Sequence, residues 1–108
     1  MHSKIFSISI TLLASLGLLA TGQSQADELS RGAMLSAACD SCHGTDGNSP
    51  GSIPSISNRS ADDILTALTG FRSGERTATI MDRHVRGYTD EELRLIAEHL
   101  AQQTNESG

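Results

Sequence analysis

Five consecutive residues, Cys39-Asp40-Ser41-Cys42-His43, hold both cysteines of the chain and one of its four histidines. Two thiols three positions apart lie on one side of a helical turn, and the side chain that comes next is an imidazole. C-x-x-C-H is the attachment pattern of c-type haem, in which the sulfurs reach the two vinyl groups of one porphyrin and the histidine presents its ring to the iron. Rival chemistries use part of this set. A redox dithiol of the thioredoxin kind wants a βαβ setting, and no segment here alternates like a strand. Zinc wants two more ligands at close spacing, and His84 and His99 show no such pattern. A structural disulfide across two intervening residues fits least. The spacing points to one haem, covalent through Cys39 and Cys42, with His43 as a metal ligand.

The second axial ligand decides between electron carrier and catalyst. Candidates are Met81, His84 and His99 downstream and Met34 upstream. A methionine is most often core filler, because its flexible thioether fits irregular gaps. Met34, on a helix among alanines, suits that ordinary role. Met81 suits it poorly, since it lies in a non-periodic stretch with polar neighbours, where a side chain can be aimed at a metal. Met81 is therefore the favoured ligand, His84 the second choice, and His99 a helix-packing residue.

A haem of this kind is attached outside the bacterial cytoplasm, and the N-terminus agrees. Met1 to Lys4 make a short positive start, an apolar run extends from Ile5 to Ala20, and Ser24-Gln25-Ala26 offers small residues for cleavage before Asp27. This is the three-part layout of a secretory signal peptide over 1–26, giving a periplasmic protein. The alternative, an uncleaved anchor, is disfavoured because the run is short of the ~20 residues that span a bilayer and is diluted by Ser and Thr. The remaining domain, 27–108, carries seven arginines against thirteen acidic residues. Such a balance excludes a nucleic-acid partner and suits weak docking on redox proteins through complementary charge.

The elements that must position these groups read as all-α. Residues 29–38 predict a short helix running into the cysteines, and 40–58, rich in Gly, Ser, Pro and Asn, predict a loop. Ser60 followed by Asp63 is a near capping box for a second helix, with Ile64, Leu65, Leu68 and Phe71 at helical spacing and Gly70 and Gly74 ending it. Thr89 with Glu92 is a full capping box, and Leu93, Ile96, Ala97 and Leu100 make one apolar stripe behind it. From Asn105 the tail is expected to fray. The mature chain has no Trp, and Phe71 and Tyr88 are its aromatic residues. A core this poor, under loops this long, predicts a large buried cofactor.

Beyond the haem motif, Met81-Asp-Arg-His-Val-Arg-Gly-Tyr-Thr-Asp-Glu-Glu92 resembles the closing stretch of class I cytochromes c. In particular it is similar to the single-haem domains of the cytochrome subunit of flavocytochrome c sulfide dehydrogenase and their two-haem relatives. The likeness runs from about Leu29 to Gln103 and includes Cys42-His-Gly-Thr-Asp-Gly-Asn-Ser49. It implies the class I cytochrome c fold, three to four short helices and long loops wrapped around one haem. It further implies Cys39 and Cys42 as thioether donors, His43 as proximal ligand and Met81 as distal ligand. By the same likeness, the carbonyl of Pro54 accepts a hydrogen bond from the free ring nitrogen of His43, and Gly32 lets the first and last helices cross closely. His99 departs from the pattern, standing where relatives commonly carry an aromatic ring. Arg72 and Arg76 are candidates to meet a haem propionate or are plain surface charge.

The resulting expectation is a non-catalytic periplasmic electron carrier. Its partners would be redox proteins such as a flavoprotein dehydrogenase or a terminal oxidase. Two alternatives stand beside it: the haem subunit of a flavocytochrome c sulfide dehydrogenase, and a haem sensor or catalyst with an open sixth site.

Overall fold

The capping box at Thr89 forms as its sequence requires. Thr89 Oγ1 accepts from the Glu92 backbone N–H at 3.2 Å, and Glu92 Oε2 accepts from the Thr89 N–H at 3.0 Å. Asp90, Glu91 and Glu92 place negative charge in the first turn, at the positive end of the helix dipole. In the computed structural model, which describes residues 6–106, the helix that begins here is the longest well-buried element, Asp90–Glu106. Three more helices precede it, so the chain reads α1 (Phe6–His43), α2 (Ala61–Ser73), α3 (Met81–His84) and α4 (Asp90–Glu106). The described residues are all-α. The positive start at 1–4 and the last two residues of the tail lie outside them, while α4 continues through Asn105 into the stretch expected to fray.

The apolar stripe of α4 is the core. Leu93, Ile96, Ala97 and Leu100 are all nearly or fully buried, together with Ile64 and Leu68 of α2 and Val85. Leu95 lies outside that stripe yet is also buried, because α4 is packed by α2 on one side and by α1 on another. Ser60 caps α2 by accepting from the Asp63 N–H at 3.1 Å. Gly70, expected to end that helix, lies inside it; the end comes at Gly74, and the Gly70 carbonyl accepts from the Arg76 N–H beyond the turn at 3.0 Å.

α1 differs most from expectation. Instead of a short helix over 29–38 it is one continuous element of 38 residues, because the apolar run over 6–20 is itself helix-forming and no proline separates it from residues 27–43. At its other end it passes through both cysteines to His43. Gly44, with φ +88°, then turns the chain in the left-handed region that only glycine enters freely, and its N–H bonds the Asp40 carbonyl at 2.9 Å. The loop thus begins at residue 44, not 40. Among the described side chains, α1 is exposed up to Arg31, and its buried positions are Gly32 and Ser36. Ser36 satisfies its hydroxyl on the Gly32 carbonyl at 2.7 Å. At Gly32 a Cβ would stand 2.8 Å from the Leu95 carbonyl oxygen and 3.2 Å from His99 Cβ, so the crossing of α1 and α4 requires glycine there.

Candidate functional site

The last turn of α1 sets Cys39 half-buried against the α2–α4 core and Cys42 at the surface. Burial pushes the Cys39 thiol above its ordinary value, and the neighbouring Asp40 carboxylate adds to this. Among the described residues no three His, Cys, Asp or Glu side chains gather as a metal-ion site.

His43 is held from below by the loop that comes after it. Its Nδ1 lies 2.6 Å from the Pro54 carbonyl oxygen. A carbonyl only accepts, so Nδ1 carries the hydrogen, and in the neutral ring Nε2 keeps its lone pair free for a metal. The loop is closed on itself to bring Pro54 there. Ile56 and Ser57 donate their N–H groups to the Gly47 carbonyl at 2.9 and 3.1 Å, and Ser57 Oγ donates to Asn48 Oδ1 at 2.7 Å. Ser55 Oγ accepts from the Ser49 N–H at 2.9 Å. Asp46 accepts from the Asn48 N–H, which holds its carboxyl below the usual range.

Met81 does not lie in a loop, as its polar neighbours suggested, but opens α3, a helix too short to show periodicity in sequence. It is half-buried and packs against the same core cluster that Cys39 touches. His84, three residues on, is exposed. His99 sits at the α1–α4 crossing beside Gly32 and lines a groove with Glu28, Leu29 and Leu95 that includes neither the cysteines nor α3. Met34 is not core filler: it is 78% exposed, because it points away from the faces of α1 that meet α4 and the cluster. Neither arginine is idle surface charge. Arg72 donates to the Tyr88 carbonyl at 2.9 Å and pairs with Asp90, and Arg76 stands over the Phe71 ring, 4.9 Å from its centroid.

The margin of the core tests whether a haem fits. Leu35, Cys39, Ile56, Leu65, Phe71, Met81 and Tyr88 all pack on the buried cluster yet stay half-covered. Ile53 and Ile80, next in sequence to Pro54 and Met81, are 41% and 52% exposed. Apolar side chains that stop short of burial along the margin where Cys39 and Met81 meet the cluster fit a large, flat, apolar group. Sequence reasoning missed Leu35, Ile56 and Val85 in this setting. Ile56 lies in a loop without periodicity, and Val85 comes after a helix of one turn, so neither carried a signal.

A family model for cytochrome c matches residues 29–104. The cytochrome subunit of sulfide dehydrogenase from Chlorobaculum tepidum is 57% identical over 70 residues, 65% of this chain and 64% of that protein. Cytochrome c4 of Pseudomonas aeruginosa is 30% identical over 95 residues, 87% of this chain and 47% of that one. Cytochrome c-553 of Desulfomicrobium norvegicum is 31% identical over 65 residues, 57% and 81% of the two chains. The chain therefore spans less than two thirds of the length of the first two relatives. Set beside the C-x-x-C-H spacing and the apolar margin, the match leaves one conclusion: this chain belongs to the cytochrome c family, with haem c held covalently through Cys39 and Cys42.

Proposed function

We propose that this chain is a periplasmic one-electron carrier, freed of residues 1–26 on export, with His43 and Met81 as the residues that would ligate the haem iron. The observation that carries the reading is the 2.6 Å contact between His43 Nδ1 and the Pro54 carbonyl. Such a bond on the far nitrogen fixes the ring's tautomer and orientation and raises its basicity as a ligand. Bound haem supplies a reversible one-electron couple. Met81 supports the second ligand role by its half-buried place against the cluster that Cys39 also meets. With its neutral thioether in place no position stays open to a substrate, and the reduced state is favoured relative to two histidines. The chain's charge is acidic on balance, which suits brief docking on a partner of complementary charge.

Export is supported by the exposure of Ser24 to Arg31: a cut after Ala26 uncovers no side chain buried among them. Among the described residues no helix is long and apolar enough to cross a membrane. The 57% identity to a sulfide dehydrogenase cytochrome subunit favours a second reading, in which this chain is the haem subunit bound to a flavoprotein and holds no substrate site itself.

The oxidised protein should show the weak near-infrared sulfur-to-iron band of His/Met haem, and its reduced form should bind carbon monoxide slowly. Periplasmic protein should have the mass of a chain starting at Asp27 plus one haem. Rapid carbon monoxide binding without the band would replace the carrier reading with an open-site sensor or catalyst. Co-purification with a flavoprotein would select the subunit reading.

A further inference from the structure

α3 is a weak element to hold an iron ligand. It has four residues, none of them buried, and its N-cap Ile80 makes no side-chain capping bond. A single turn cannot sustain itself, because nucleation costs more than its few bonds return. Its internal ties are the Arg83 and His84 N–H groups on the Ile80 carbonyl, at 3.0 and 3.3 Å, and Val85 N–H on the Met81 carbonyl at 3.0 Å. The bonding continues through Tyr88 N–H to the Val85 carbonyl at 3.3 Å. The ties that fix this run in space must come from outside it.

Val85, 3% exposed, supplies an apolar anchor in the core. Arg72, from the last turn of α2, supplies the polar one. Its Nη1 donates to the Tyr88 carbonyl at 2.9 Å across sixteen residues of sequence, in a half-buried setting, and its Nη2 pairs with Asp90. The Asp90 side chain is 88% exposed, and exposed ion pairs contribute little. The charged bond to the carbonyl is the stronger part, since an ionised donor roughly doubles a hydrogen bond. The planar fork lets one side chain hold both the exit of the Met81 segment and the entrance of α4.

We propose that Arg72 is a positioning residue for Met81: it clamps the end of the Met81–Tyr88 run onto α2 and so limits how often the thioether leaves the iron. The proposal rests on the His43/Met81 reading above. Opening of this segment is a local event, governed by the ties that break with it and not by global stability.

The test uses ferric holoprotein and imidazole as the incoming ligand, whose binding requires Met81 to leave. Arg72→Gln should speed imidazole capture about tenfold, a change in barrier height that loss of one charged hydrogen bond accounts for. It should also speed amide hydrogen exchange at Val85 and Tyr88. Asp90→Asn, which keeps the bond to the carbonyl, should stay near the wild-type rate. Thr89→Ala removes the neighbouring α4 cap without touching the clamp and should lower the denaturation midpoint while leaving imidazole capture unchanged. If Arg72→Gln does not fold, Arg72→Lys, which loses the two-pronged reach, should still exceed the wild-type rate. A wild-type rate in the Arg72 variant, or equal acceleration by Thr89→Ala, overturns the clamp while the near-infrared band of the wild type keeps the ligand assignment. Absence of that band in the wild type overturns the ligand assignment, and the clamp with it.

Discussion

A thioether at 78% exposure, as Met34 has on α1, is solvated and free to turn. At Met81 the same group is half-covered by the cluster that Cys39 touches, and the turn around it is hydrogen-bonded. Only the second arrangement restricts the sulfur enough to serve as a ligand without a large entropic cost on binding. Met81→Ala should therefore remove the near-infrared band, lower the reduction potential and open the iron to carbon monoxide or cyanide. Met34→Ala should do none of these and should change stability by no more than about 0.5 kcal/mol, the usual range for a surface substitution. Visible and near-infrared spectra with a denaturant titration check both. Equal spectral loss in the two variants would contradict the assignment. Sequence separated the two methionines by neighbourhood alone, and it misjudged Met34 because alanines on a helix do not reveal which face meets the core. Cys39 and Cys42 were legible outright as the attachment points of the haem, since their spacing carries the chemistry wherever the helix lies.

Among the elements, the starts of α2 and α4 were readable because a capping box is a local contract between side chain and backbone. The extent of α1 was not, because its C-terminus is set by Gly44 and not by the weak helix formers before it. Nor was the burial of Leu95, which depends on α1 lying across a second face of α4. That crossing hangs on Gly32. A methyl group there would stand 2.8 Å from a backbone oxygen, which cannot swing aside as a side chain would. Gly32→Ala should lower stability by about 1–3 kcal/mol, the typical cost of overpacking, despite the gain in helix propensity. Gly51→Ala, where nothing lies within 4 Å, is the control and should be close to neutral. Denaturant midpoints of the two holoproteins decide the matter. A stabilised Gly32→Ala would mean that the helices can part without loss.

At the scale of the molecule, α1 crosses α4 closely but adds little buried apolar side chain of its own. Its buried residues, among those described, are Gly32 and Ser36, neither with apolar side-chain area to contribute. Its ion pairs across to α4, Arg31 with Glu91 and Glu92 and Glu28 with Arg94, are exposed and contribute little in water. Leu35 and Cys39 reach the cluster but remain half-covered, as do Met81, Leu65 and Tyr88 on the facing elements. The buried apolar set comes from α2, Val85 and α4. A covalent group rooted at Cys39 and Cys42 would cover this shared margin and bind α1 to the other helices at once. Cys39→Ala with Cys42→Ala should thus yield a chain without covalent haem by mass, in which α1 loses its hold first. Circular dichroism should show a large loss of helix, and limited proteolysis should cut within 27–43 before it cuts α4. If the double variant instead purifies as a protease-resistant helical domain that melts cooperatively near the holoprotein's midpoint, the protein contacts alone suffice and the haem is no part of the core.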